Sequence, residues 1–107
     1  MQYNTMYDVY QEICQKYPGA PVTYNSSYDC MSFMTEKYEV TALSNYSQPV
    51  LSIRNSAEHY QYNIGNFEDA SKFFSDLVSG QISFSYDKFS RKKRLKIDGW
   101  SSSGSIV

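Results

Sequence analysis

The stretch from residue 22 to residue 64 alternates apolar and polar side chains with a period of two. Met31 alternates with Phe33, and Tyr60 alternates with Tyr62, each against polar neighbours. Such alternation is typical of strands in a sheet that buries one face. It predicts five strands at Val22–Asn25, Asp29–Thr35, Tyr38–Ser44, Pro49–Arg54 and Glu58–Ile64.

The links between the later strands of this set are short, at residues 36–37, 45–48 and 55–57. Links of this length permit only antiparallel hairpins, because a parallel connection needs a crossover of about a dozen residues. The sequence therefore predicts an antiparallel β-meander, and this feature limits the available folds more than any other.

A helix is predicted after the meander, from residue 66 to residue 80. Asn66 is a good N-cap, Asp69 stands three residues later, and Gly80 supplies a left-handed stop. Apolar residues recur at spacings of three and four, which is typical of a helix with one buried face. They are Phe67, Ala70, Phe74, Leu77 and Val78, with Phe73 expected at the edge of the stripe.

Residues 5–17 form a second predicted amphipathic helix. Thr5 and Asp8 provide its start, and the Pro18-Gly19 pair ends it. Its apolar face carries Met6, Tyr10, Ile13 and Tyr17, and it is widened by Tyr3, Tyr7 and Cys14. We expect this helix to pack on the sheet, and a competing hypothesis leaves Tyr3 and Tyr7 exposed for a partner.

These elements predict an α+β fold of two layers, with both amphipathic helices on one face of an antiparallel meander sheet. The chain has 107 residues, which suits one domain, placed here at residues 1–98 with a flexible C-terminal tail at residues 99–107. A further short strand is expected at residues 82–86. The predicted core includes Ile13, Met31, Phe33, Ile53, Tyr62, Phe74 and Leu77.

The cysteines and the hydropathy pattern bear on the cellular compartment. Cys14 and Cys30 are the only cysteines, and two cysteines do not make a disulfide framework in a chain of this size. We expect two free thiols. No long apolar run and no signal-peptide pattern is present, so we expect a cytoplasmic protein that does not contact a membrane.

Charge is distributed unevenly along the chain. Residues 1–87 carry ten acidic residues against four basic ones, whereas residues 88–98 carry six basic residues against Asp98 alone. An acidic body followed by a basic segment is an argument about partners, not about fold. The chain also contains 11 Tyr, and tyrosine is enriched at recognition surfaces.

Catalytic residues are sparse in the sequence. His59 is the only histidine and falls on the polar side of its predicted strand, so we interpret it as a surface side chain. No basic residue flanks Cys30 to activate it as a nucleophile, although the sequence leaves a pairing of Cys30 with His59 open. One histidine and two distant cysteines fall short of a zinc site. We therefore predict a protein that is not an enzyme and needs no metal or cofactor.

The basic segment is the first candidate binding site. It comprises Lys88, Arg91, Lys92, Lys93, Arg94 and Lys96, with Trp100 nearby. These side chains could contact an acidic protein, or neutralise phosphates while an aromatic ring stacks on a base. The alternative is an edge strand that uses charge to avoid pairing with other chains. Tyr3 and Tyr7 complete the predicted partner-binding set.

The order helix, antiparallel strands, helix loosely resembles the double-stranded-RNA-binding domain. In that family a Gly-rich entry into the second helix is followed by lysines that grip phosphates. The matching stretch here is residues 63–72, in which Glu68 and Asp69 stand where the lysines would be. Because two carboxylates would repel the nucleic-acid backbone, the resemblance is limited to topology and membership is rejected.

The leading functional hypothesis is a small non-catalytic binding protein of the inhibitor or immunity type, which acts through protein–protein contact. A phage or mobile-element anti-defence protein fits this profile. Within this hypothesis, the acidic body could imitate nucleic-acid phosphates and block a nucleic-acid-binding partner. The alternative hypothesis is a nucleic-acid-binding module that uses residues 88–100.

Overall fold

The computed structural model describes residues 3–44, 48–86 and 95–98, and in these ranges the chain forms two helices and seven strands. The helices are α1 (Met6–Lys16) and α2 (Phe67–Val78). The strands between them are β1 (Val22–Asn25), β2 (Cys30–Met34), β3 (Glu39–Leu43), β4 (Val50–Arg54) and β5 (His59–Asn63). Two further strands follow α2, namely β6 (Ser83–Tyr86) and β7 (Leu95–Asp98).

The first five strands form one antiparallel sheet in the order β1-β2-β3-β4-β5, so the predicted meander is confirmed. Each strand pairs with the strand that follows it in sequence. The register sets Val40 opposite both Phe33 and Ile53, and it sets Leu51 opposite Tyr62. One alternating set of side chains therefore points to the same face across all five strands.

Both helices pack on that face, which gives the predicted two-layer α+β fold. α1 lies against β1 and β2 and packs beside α2. Buried residues of both helices and of the inward-facing strand positions form one core. Its fully enclosed side chains include Met6, Val9, Ile13, Met31, Val40, Leu51, Ile53, Phe73 and Phe74.

Most of the predicted core is confirmed, with three differences in detail. Phe33 is only half-buried. Phe73, expected at the edge of the α2 stripe, is fully enclosed and meets Phe74 edge to face with 5.7 Å between the ring centroids. Ser71 is also buried, because it faces α1 and not the solvent. Packing two helices side by side thus widens the buried arc of α2 beyond its apolar stripe.

β6 and β7 form a separate two-stranded antiparallel sheet, in which Tyr86 pairs with Leu95 and Ser83 pairs with Asp98. The strand expected at residues 82–86 is therefore present, and it pairs with a strand after the basic run instead of joining the meander. Phe84 anchors this small sheet by meeting Tyr38 edge to face at 5.8 Å.

Within the described ranges, neither helix has the length and apolar content needed to cross a bilayer. Cys14 and Cys30 are both free thiols. The tail predicted at residues 99–107 lies outside the described residues.

Candidate functional site

Asp29 organises the corner where α1 meets the β1–β2 hairpin. Its carboxylate accepts hydrogen bonds from the backbone N–H groups of Met6 (3.0 Å) and Tyr7 (3.2 Å), at the start of α1. It also accepts a hydrogen bond of 2.5 Å from the hydroxyl of Tyr24 on β1. These are the N–H groups that a helix leaves without an internal partner, so Asp29 caps α1 from a turn that is distant in sequence.

The same contact gathers three tyrosine rings, which we call the tyrosine cluster: Tyr7, Tyr10 and Tyr24. The ring centroids of Tyr7 and Tyr24 lie 5.1 Å apart, those of Tyr10 and Tyr24 lie 5.5 Å apart, and those of Tyr7 and Tyr10 lie 6.3 Å apart. Tyr7 and Tyr10 share a helix face because they are three residues apart. Tyr7 keeps 41% of its surface exposed, so the cluster is reachable from solvent.

The tyrosine cluster sits in an electronegative setting. The hydrogen bond to Asp29, together with burial, raises the pKa of Tyr24 to about 12. A hydrogen bond with Cys14 raises the pKa of Tyr10. At the start of the same helix, the carboxylate of Asp8 accepts hydrogen bonds from the N–H groups of Asn4 (2.8 Å) and Thr5 (3.1 Å). The phenols of Tyr10 and Tyr24 therefore stay protonated at neutral pH.

Tyr3, the other tyrosine predicted to bind a partner, faces the α1–α2 junction. Its hydroxyl donates to the carboxylate of Glu12 and lies 3.3 Å from the hydroxyl of Ser71. Ser71 donates to the same carboxylate at 2.7 Å. Burial, followed by the bond to Glu12, raises the pKa of Tyr3, and that bond lowers the pKa of Glu12. The polar end of Tyr3 is thus engaged in joining the two helices.

The opposite face of the five-stranded sheet, which we call the open face, points away from both helices. Its polar side chains pair with one another: Ser32 with Thr41 at 2.9 Å, and Arg54 with Glu39 at 2.8 and 3.0 Å. The residues of the open face are Thr23, Asn25, Cys30, Ser32, Met34, Glu39, Thr41, Leu43, Val50, Ser52, Arg54, His59, Gln61 and Asn63.

The open face carries a depression of about 660 Å³ between the β1–β2 turn and Arg54. Tyr28, the most exposed large hydrophobic residue among the described residues at 69%, lines part of it. Thr23, Ser32 and Thr41 also line the depression. Its charged residues, Glu39 and Arg54, neutralise each other, so this surface has little net charge.

One pair on the open face has the geometry of a nucleophile and a base. The hydroxyl of Ser52 lies 2.8 Å from Nε2 of His59. Within the described ranges, however, no hydrogen bond reaches the second ring nitrogen of His59, so no carboxylate orients the imidazole as in a catalytic triad. The pair is the diagonal contact that the β4–β5 register imposes on two polar side chains.

Cys30 is separated from His59 by two intervening strands, and this arrangement excludes the Cys30–His59 pairing that the sequence left open. Burial, followed by the nearby carboxylates of Asp29 and Glu39, raises the pKa of the Cys30 thiol, which is the opposite of what activates a nucleophile. The described residues also contain no group of three or more potential metal ligands.

The basic segment falls mostly outside the part of the chain that the structure describes. Lys88, Arg91, Lys92, Lys93, Arg94 and Trp100 lie outside the described residues, and Lys96 lies on β7. Of the predicted partner-binding residues, the structure therefore assigns Tyr7 to the tyrosine cluster and Tyr3 to the helix junction. Residues 3–44 and 48–86 carry nine acidic residues and four basic ones, so this part of the domain is acidic.

Sequence reasoning did not identify Tyr10, Tyr24 or Asp29 as parts of a site. The sequence pattern puts Tyr10 on the apolar face of the first helix and Asp29 at the start of a strand. The sequence gives one indication of the site, which is that Tyr24 and Asp29 lie near opposite ends of the same predicted hairpin turn.

Comparison with protein-family models, with curated proteins and with solved structures gives no match for this chain. The functional assignment accordingly depends on the geometry of the site alone.

Proposed function

We propose that this chain is a small non-catalytic binding protein that contacts another protein through the tyrosine cluster. The observation that carries the proposal is the packing of three tyrosine rings within 6.3 Å of one another at the surface, held by Asp29. Tyrosine supplies a large amphipathic contact area with little side-chain entropy to lose, which is why it recurs at interaction hot spots.

Rigidity supports a binding role for the cluster. Tyr7 and Tyr10 belong to α1, and Tyr24 belongs to β1, which packs directly on α1. Asp29 fixes the start of α1 and the Tyr24 hydroxyl with the same carboxylate. A preorganised aromatic surface has little flexibility to lose on association, and this lowers the free-energy cost of binding.

The mode of action that fits this surface best is occlusion. A small domain with a rigid aromatic patch and no oriented catalytic group among its described residues can act by covering a partner's site. We therefore propose an inhibitor or immunity-type protein that works in the cytoplasm, and a phage or mobile-element origin remains part of this proposal. Among the described residues, the lack of a third catalytic group beside Ser52 and His59 favours this function over hydrolysis.

The proposal is tested by capture with purified protein from an extract of the cells that produce it, with and without nuclease. The wild-type chain is compared with Tyr7→Ala and with Tyr28→Ala, which removes an equally large exposed ring outside the cluster. Because truncating a hot-spot residue costs at least about 2 kcal/mol, we expect Tyr7→Ala to weaken the captured complex by more than about tenfold.

Two outcomes would overturn the proposal. The first is a partner that is held equally by wild type and Tyr7→Ala but lost with Tyr28→Ala, which would move the interface to the open face. The second is a partner that disappears on nuclease treatment, which would favour the alternative of a nucleic-acid-binding module built on residues 88–100. Circular dichroism of each variant confirms that the fold is retained.

A further inference from the structure

We propose that the tyrosine cluster is a receptor for a cationic side chain, an arginine or a lysine, presented by the protein partner. This inference rests on the proposed binding function and specifies its chemistry. Three observations support it: the ring geometry of the cluster, the Asp29 carboxylate that is bonded to Tyr24, and the lack of a basic partner for Asp29 within the described ranges.

The ring geometry suits a cation. A guanidinium or ammonium group is attracted to the face of a tyrosine ring when it lies within about 6 Å of the ring centroid. Tyr7 is exposed, and its centroid is 5.1 Å from that of Tyr24 and 6.3 Å from that of Tyr10. A cation that reaches the exposed part of Tyr7 therefore contacts a ring that is packed against Tyr24.

The hydrogen bond to Asp29 makes this attraction stronger. The Tyr24 hydroxyl donates to a carboxylate oxygen at 2.5 Å, which shifts electron density from the carboxylate towards the phenol ring. The raised pKa of Tyr24, about 12, reflects the same interaction, because the negative Asp29 disfavours a second negative charge on the phenol. A positive charge over the ring is favoured for the same electrostatic reason.

The surrounding charges leave the site open to a cation. The ion pairs between Lys16 and Glu12 and between Arg54 and Glu39 do not involve the cluster. Neither Asp8 nor Asp29 has a basic partner within the described ranges. An arriving arginine or lysine thus meets the negative charge of Asp29 beside the Tyr24 ring, whereas an acidic side chain would be repelled.

The test uses the whole chain and a labelled, end-capped octa-arginine peptide as the probe, with an octa-citrulline peptide as a neutral analogue of the same shape. Two variants at one position separate the ring from the rest of the side chain. Tyr7→Phe retains the aromatic face, and Tyr7→Leu removes it. Tyr28→Leu is the matched control, because it deletes an exposed ring outside the cluster.

We expect octa-arginine to bind the wild-type chain, Tyr7→Phe and Tyr28→Leu with similar affinity, and to shift the amide NMR signals of Tyr7, Tyr10 and Tyr24. Tyr7→Leu should weaken binding about two- to fivefold, which corresponds to a cation–π contact of about 0.5–1 kcal/mol at an exposed site. Octa-citrulline should cause none of these shifts.

Equal binding of octa-arginine to wild type and Tyr7→Leu would overturn the inference, because it would show general attraction to the acidic domain. Equal binding of octa-citrulline, or no shift at the cluster with millimolar octa-arginine, would overturn it as well. If Tyr7→Ala abolishes partner capture while octa-arginine fails to bind, the cationic assignment is refuted and the proposed binding function stands.

Discussion

Replacing Asp29 tests how the helix and the hairpin are joined at the tyrosine cluster. The residue has a φ of 46°, in the left-handed region, so alanine there would add backbone strain to the loss of hydrogen bonds. Glycine removes the same carboxylate without that strain. Asparagine keeps one side-chain oxygen as an acceptor, and it tolerates the left-handed region, but it carries no charge. Asp29→Gly and Asp29→Asn are therefore the informative pair.

The expected destabilisation follows from the hydrogen bonds that each variant removes. Removing the cap from the N–H groups of Met6 and Tyr7 costs about 1 kcal/mol, and the bond from Tyr24 to a charged acceptor contributes about 1.5–3 kcal/mol. We therefore expect Asp29→Gly to lower the free energy of unfolding by about 2.5–4 kcal/mol, and Asp29→Asn by about half as much. Urea denaturation monitored by circular dichroism measures both values.

Tyr24 supplies a second measurement on the same variants. Its pKa of about 12 lies above the ordinary value of 10.0, so its contribution to stability is complete below pH 10 and is lost as the pH rises through 12. In Asp29→Asn the pKa should fall towards the ordinary value, as followed by the ¹³Cζ shift of the tyrosine ring. A change in unfolding free energy below about 0.5 kcal/mol for Asp29→Gly, with the Tyr24 titration unmoved, would refute the assigned role of Asp29.

Two further predictions concern the core and the basic segment. Phe74→Ala should lower the free energy of unfolding by about 3–5 kcal/mol because Phe74 is fully enclosed. Val78 is only half-buried, so Val78→Ala should lower it by less. If urea denaturation gives a decrease below about 1 kcal/mol for Phe74→Ala, α2 is not packed as described. The sequence predicts that the basic run is solvated, so neutralising Arg91, Lys92, Lys93 and Arg94 together should leave folding nearly unchanged. If that segment holds duplex DNA, the variant should flatten the salt dependence of binding by about 0.9 in log–log slope for each phosphate that the segment no longer neutralises. We expect no tight duplex binding by the purified protein at physiological salt, and finding such binding, abolished in the variant, would favour the nucleic-acid alternative.

The sequence predicts the fold well because its patterns are local. Alternation sets the strand faces, and the short links set the antiparallel pairing. Asn66 accepts a hydrogen bond from the N–H of Asp69 at 2.7 Å, as its position as an N-cap predicts. The burial of Phe73 and Ser71 is different, because it depends on where α1 lies and not on the periodicity of α2.

The site is harder to predict because each part of it joins residues that are distant in sequence. Asp29 caps a helix that begins 23 residues earlier, at Met6, and no helix-start pattern includes such a partner. The interaction of Ser52 with His59 becomes visible only when the β4–β5 register is known. Local rules therefore identify the elements, whereas the packing of one element against another determines the candidate site.

The order of the strands in the sheet also has a consequence for the speed of folding. Because every strand of the meander pairs with its sequence neighbour, the sheet can grow one hairpin at a time with little loop-closure entropy at each step. The helices differ, since Tyr3 and Glu12 meet Ser71 across separations of 68 and 59 residues. We expect the meander to form early and the helix junction to close late. Tyr3→Phe should then accelerate unfolding and leave the refolding rate nearly unchanged in stopped-flow experiments.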